Sequence, residues 1–184
     1  MGAPKALLPF DGTPLVEHIV RTLEPLFPEI IVVAAPGQHL PVMPVTVVQD
    51  PVAHQGPVAG MLHGLRASAG EYAFVTSCDA AFLSPGLIAH LVSQCAGYDA
   101  IVPRWAGRLQ PLVAVYQRAA LIPQLESRLA AGQLKLLDLL GCLRTRYVDE
   151  SEIQDFDASG ESFFNINTPD DYQEALRRFR ARYT

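Results

Sequence analysis

The chain has 184 residues, enough for one domain with a sizeable buried core. Apolar residues make up 49% and charged residues 18%, as in an ordinary folded protein. The net charge of −5 argues against non-specific binding to a nucleic-acid polymer, which needs a basic face to displace counterions. A nucleotide stays open as a ligand, because one lysine, a few backbone amides and a cation are enough to hold a small anion. Cys78, Cys95 and Cys142 are odd in number and lack CxxC spacing, so they are read as reduced thiols. The sequence has neither a basic stretch leading into an apolar one nor an apolar run of bilayer length. It predicts a cytoplasmic protein with no membrane partner.

From the N-terminus, Lys5 comes first, between Pro4 and the apolar Ala6, Leu7 and Leu8. A helical stripe follows at 14–26, with Leu15, Val16, Ile19, Val20 and Leu23 on one face. Short β-branched runs predict strands at 30–33, 45–48, 72–76, 100–102, 112–116 and 145–148. Ser84 caps a helix with Pro85 at its first position, and Thr168-Pro169-Asp170-Asp171 opens the last helix. Arg177, Arg178 and Arg180 near that helix's negative end read as a solvated charge run. Strands alternating with helices predict a mainly parallel sheet covered on both faces. No strand precedes the first helix, although a doubly wound sheet places its first strand centrally. Two interior strands would then carry unpaired edges.

Asp79 ends an apolar strand, where α/β folds bind ligands, and an aspartate there suits Mg²⁺. Asp50 ends another, and Gly56 and Gly60 follow it. Those glycines permit close backbone approach, and the helix start behind them offers free N–H groups to an anion. His54 and His63 flank this stretch without completing a metal set. Asn165 and Asn167 straddle Ile166, so an extended backbone would point both amides the same way. Gln110 lies in a loop, Arg108-Leu109-Gln110-Pro111, that precedes a strand. Each signal alone is weak.

Their order carries more. Met1-Gly2 with Lys5-Ala6-Leu7-Leu8 and Gly12-Thr13-Pro14-Leu15 comes first, then Asp50 with Gly56-Pro57-Val58-Ala59-Gly60-Met61, then Cys78-Asp79. The stretch from Gln110 to Tyr116 and Phe164-Asn165-Ile166-Asn167-Thr168-Pro169 close the series. In that order the chain resembles the molybdenum cofactor guanylyltransferase family from end to end. The resemblance implies one nucleotidyltransferase domain over 1–184, a three-layer α/β/α Rossmann-like fold with a mainly parallel sheet. It implies Mg²⁺-dependent transfer of GMP from GTP to the terminal phosphate of molybdopterin-bound molybdenum, with release of pyrophosphate. Apo-molybdoenzymes or their chaperones would be further partners. Carried over, Lys5 contacts the triphosphate, and Asp50, Gly56 and Gly60 hold the nucleoside. Asp79 binds Mg²⁺, and Gln110, Asn165 and Asn167 line the pterin side.

Two departures accompany the resemblance. Family members begin with a strand and a glycine-rich Leu-Ala-Gly-Gly-x-Ser-x-Arg loop immediately before the Met-Gly that opens this chain. We therefore expect a further upstream segment of about 15 residues, the length of one strand and its loop. Ala34 stands where the family often has an asparagine, and Ala81 where it usually has a proline, which weakens guanine preference. The alternatives are a sibling cytidylyl or sugar-phosphate transferase, and a cofactor-binding relative without turnover.

Overall fold

The computed structural model describes residues 4–52 and 56–183; Met1, Gly2 and His54 lie outside them. The chain starts with a 3₁₀ turn at Lys5–Leu7. A two-rung hairpin follows, β1 (Pro9–Phe10) and β2 (Thr13–Pro14), ahead of α1 (Leu15–Leu23). Asp11 and Gly12 join β1 to β2 with φ of 48° and 75°, as a primed turn requires. The order then runs β3 (Ile31–Ala34), β4 (Thr46–Gln49), α2 (Gly56–Ala67), β5 (Tyr72–Thr76), α3 (Pro85–Ser93) and β6 (Ala100–Trp105). It continues with β7 (Arg108–Leu109), β8 (Val113–Gln117), α4 (Arg118–Ala130), β9 (Thr145–Val148), α5 (Glu150–Ile153) and α6 (Pro169–Tyr183).

β3 and β4 pair in parallel, as do β6 and β9. β8 runs antiparallel between β5 and β6, which therefore point the same way. The sheet is thus mainly parallel, with β8 and the short β7 reversed. Among the described residues, β3–β4 and the β5–β8–β6 ladder are separate, and β3 and β5 each pair along one edge only. Helix α2 spans the two: Val33 lies 3.2 Å from where a Cβ on Gly64 would stand, and Ala73 and Val75 pack into the cluster that α2 shares with α4.

Side-chain alternation makes the sheet two-faced. Ala73 and Val75 of β5, Ala100 and Val102 of β6, and Ala114 and Tyr116 of β8 face α2, α4 and the 3₁₀ segment Leu136–Cys142. Phe74, Ile101, Val113 and Val115 face the opposite way, toward α1 and α6 or toward α3 and α5. The result is the expected three-layer α/β/α sandwich. The predicted strands appear within one residue at each boundary, except that β6 runs on to Trp105 to pair with β7. Three predictions need correction. The first helix ends at Leu23, not at 26. Gly56 and Gly60 lie inside α2 rather than in a turn before it. Arg178 is not merely solvated: it bonds Glu174 and stacks over the Phe164 ring at 4.4 Å.

The loop before Asn165 depends on one glycine. Gly160 has φ of +65°, and a Cβ there would stand 2.0 Å from the Trp105 ring, which itself packs on Phe163. Gly160→Ala should destabilise the fold by about 2–4 kcal/mol, combining a left-handed backbone with overpacking. Thermal denaturation measures this. A second change, Trp105→Leu, should recover part of the loss; no recovery would show that the clash is not the cause.

Candidate active site

Three distant stretches meet at one ammonium group. Lys5 Nζ donates to Asp79 Oδ2 at 3.0 Å and to Asn167 Oδ1 at 2.8 Å. Ser77 Oγ donates to the other Asp79 oxygen at 2.5 Å. Charge-assisted bonds of this kind are stronger than neutral ones, and partial burial screens them less than full exposure would. The Lys5 and Asp79 side chains are 32% and 17% exposed, sheltered enough for strong electrostatics and open enough for a ligand.

Backbone bonds hold the carboxylate in place. Asp79 follows the C-terminal end of β5, and its carbonyl accepts the Ile166 N–H at 3.1 Å. Ala80 bridges Asn165 in antiparallel fashion. Ile166, fully buried, anchors the segment from which Asn165 and Asn167 project. The α6 cap sets Asn167. Asp171 accepts the N–H groups of Asn167 and Thr168, while Thr168 Oγ1 accepts the Asp171 N–H. Tyr172 Oη then donates to the Pro9 carbonyl, tying α6 to the segment that carries Lys5.

The other expected residues stand apart from this convergence. Asp50 follows β4, its N–H bonded to the Ala34 carbonyl and its carboxylate accepting the Val52 N–H at 3.0 Å. His63 Nε2 on α2 lies 3.8 Å from the same Asp50 oxygen. Gly56 and Gly60 occupy the first two turns of α2, whose leading N–H groups have no partner within the helix. Gln110 sits where β7 gives way to β8: its N–H bonds the Pro103 carbonyl and its own carbonyl accepts the Val113 N–H. Among the described residues, no hydrogen bond or ion pair joins Asp50, Gly56, Gly60 or Gln110 to the Lys5 network. Ser77 is not singled out from the sequence, and Asp171 and Tyr172 are read there only as parts of the last helix. The spacing Thr168-x-x-Asp171 is a legible cap signal, whereas Ser77 has none beyond its closeness to Asp79.

Metal chemistry is constrained by the donors present. Among the described residues, no three or more His, Cys, Asp or Glu side chains gather as a metal set. Asp79 offers hard oxygens, which fits a cation such as Mg²⁺ that takes one or two carboxylates and completes its shell with substrate phosphates and water.

A profile of the MobA-like NTP transferase domain matches residues 1–146. The chain belongs to that family. It is 33% identical, over 95% of its own length and 85% of the relative's, to a probable molybdenum cofactor guanylyltransferase of Pelotomaculum thermopropionicum. It is 39% identical, over 76% of itself and 72% of the relative, to a protein of the same description from Mycobacterium bovis. The crystal structure of molybdopterin-guanine dinucleotide biosynthesis protein A from Archaeoglobus fulgidus superposes with a TM-score of 0.81 at 27% identity. That superposition covers 98% of this chain and 92% of the other. The fold is shared more widely: the Thermus thermophilus 2-C-methyl-D-erythritol 4-phosphate cytidylyltransferase reaches a TM-score of 0.74 at 20% identity, over 96% of this chain and 94% of that one. As a MobA-like transferase the chain is a nucleotidyltransferase. Among the described residues, no helix is long and apolar enough to cross a membrane.

The α6 cap can be tested by pH. The Thr168 amide, followed by the Thr168 hydroxyl and the Asn167 amide, holds the Asp171 carboxyl below its usual range, and Lys5 adds a smaller pull. A lowered carboxyl pKa stabilises the fold above the unfolded value, 3.8, and the contribution is lost as pH falls through the folded value. Asp171→Ala should therefore lower the melting temperature at neutral pH, with the deficit shrinking as the solution is acidified through that window. A deficit independent of pH would show that the carboxylate is not what holds the cap.

Proposed function

We propose that this MobA-like transferase moves the GMP unit of GTP onto the terminal phosphate of molybdopterin-bound molybdenum cofactor, releasing pyrophosphate, in the cytoplasm and with Mg²⁺. The observation that carries the reading is the convergence of Lys5, Asp79 and Asn167 at the C-terminal end of β5. A cation, a carboxylate and an amide meet there on a partly open surface, which suits a triphosphate and its metal. The names borne by its relatives support guanine as the base and the pterin cofactor as acceptor.

The chemistry asks little covalent work of the protein. An acceptor phosphate oxygen bonds to the α-phosphorus, and the bond from that phosphorus to the oxygen bridging to the β-phosphate breaks. A phosphate monoester has a second pKa of about 6 and is largely ionised at neutral pH, so no general base is needed. Positioning and charge neutralisation remain. Lys5 turns from Asp79 to the phosphates, and Asp79, released from the lysine, would hold Mg²⁺, which would supply positive charge against the leaving pyrophosphate. Asp50 with Gly56 and Gly60 takes the nucleoside, Asn165, Asn167 and Gln110 take the pterin side, and apo-molybdoenzymes or their chaperones receive the product.

Calorimetric titration of GTP and CTP, each with and without Mg²⁺, tests this directly. GTP should bind in a Mg²⁺-dependent way, and Asp79→Asn should remove the Mg²⁺ dependence. Lys5→Met should cost about 10²–10³-fold in kcat, the scale of losing one preorganised charge-stabilising donor. Preference for CTP would move the chain to a cytidylyl activity. Pterin binding without nucleotide binding would make it a relative that holds the cofactor without turnover.

A further inference from the structure

One polar contact to the Asp79 loop belongs to none of the residues considered so far. His18, half-buried on α1, places Nε2 3.0 Å from the carbonyl oxygen of Ala81, two residues beyond Asp79. A carbonyl only accepts, so Nε2 carries the proton and Nδ1 is bare in the neutral ring. Burial lowers the His18 pKa and Arg21 adds to that effect, while the Ala81 carbonyl and Asp11 pull the other way; the net effect favours the neutral ring. Two aromatic rings pack beside it. Phe10 of β1 lies 4.9 Å away and Phe179 of α6 5.6 Å away, ring centre to ring centre.

Ala81 is buried, where a carbonyl without a partner is costly, and His18 supplies that partner. The Asn165–Ile166 segment tethers this loop from one side, through Asp79 and Ala80. His18 tethers it from the other. Its helix is continuous with the Lys5 segment, since the Leu15 N–H bonds the Leu8 carbonyl across the β1–β2 hairpin. The Lys5–Asp79 ion pair and, second, the His18–Ala81 hydrogen bond join the Lys5 unit to the Asp79 loop, beside the edge-on packing of the Phe10 and Phe82 rings. In the proposed reaction the first must break when Lys5 turns to the phosphates. The second need not.

We propose that His18 is a positioning residue that keeps the Asp79 loop in register with Lys5 after the ligand has taken over their ion pair. The inference rests on the transferase reading above.

Two variants separate positioning from packing. His18→Phe keeps an aromatic ring among Phe10 and Phe179 but has no donor. His18→Gln puts an amide N–H the same number of bonds from Cβ but gives up the ring. For each, we would measure the melting temperature, kcat, the KM for GTP and the Mg²⁺ concentration giving half-maximal GTP binding, on the full chain. Positioning predicts that His18→Phe, which leaves the buried Ala81 carbonyl unpaired, melts somewhat lower and needs on the order of tenfold more Mg²⁺, the scale of one hydrogen bond, with kcat falling more than KM rises. His18→Gln should melt lower yet keep a Mg²⁺ requirement close to that of the wild type. If His18→Phe matches the wild type, or if the Mg²⁺ defect follows melting temperature in both variants, His18 is a packing residue and the inference is overturned while the transferase reading stands. If the unaltered chain shows no Mg²⁺-dependent GTP binding, both readings fall together.

Discussion

An ammonium group has hydrogens to give and nothing to accept with, so burying one partway requires oxygens brought from elsewhere. Lys5 finds them 74 and 162 positions away along the chain, on Asp79 and Asn167. Most of the fold can be understood as what delivers those oxygens. The alternating apolar faces of β5 and β8 set where β5 ends and hence where Asp79 begins. The capping box of α6 sets Asn167, and Tyr172 on that helix's first turn returns to Pro9, close to the lysine. The three contributors thus belong to one connected set of contacts, although each comes from a different third of the sequence.

Charge placed away from this point does structural work. His90 on α3, Arg146 on β9 and Glu152 on α5 form a compact cluster, with Glu152 accepting from both partners. Burial opposes ionisation of Glu152, but the bonds from Arg146 and His90 outweigh it and leave the carboxyl below its usual range. That cluster fixes the outer edge of the sheet. Arg178 serves nearer the site: stacked on Phe164 and bonded to Glu174, it holds the residue immediately before Asn165 against α6. A run of arginines at a helix end looks like solvated surface in sequence because the aromatic partner lies outside the helix.

What was legible in the sequence follows the range of the forces involved. The strands showed as β-branched runs, and α1, α3 and α6 as apolar stripes with caps, because propensity and capping act over a few residues. Helix α4 did not, since Pro123 falls inside it and breaks the expected pattern. The β1–β2 hairpin carries an Asp-Gly turn but only two residues per strand, too few for alternation to register. Asp79 stood out by its place at a strand end, whereas Ser77 and His18 did not: their partners are a rotamer choice and a backbone carbonyl 63 positions away. The family order of the motifs supplied what spacing could not, because it adds up signals that are each weak.

The resting pair of Lys5 and Asp79 bears on how such a site can stay ready for a highly charged ligand in a chain whose net charge is −5. A lone half-buried lysine and a lone half-buried carboxylate would each pay a desolvation cost while waiting. Paired, they satisfy one another, and the partial exposure of both keeps the pair from being so strong that it cannot be opened. In the proposed reaction the triphosphate and its metal arrive together, carrying the opposite sign for each partner. The lysine exchanges a carboxylate for phosphate oxygens, and the carboxylate exchanges an ammonium for a divalent cation. One ion pair is replaced by two, with no charge left unpaired at the end. Neither ligand component alone can do this, since either would strand one member of the pair. Selectivity for the metal–nucleotide complex over free nucleotide follows from that arithmetic of charges, before any contact with the base.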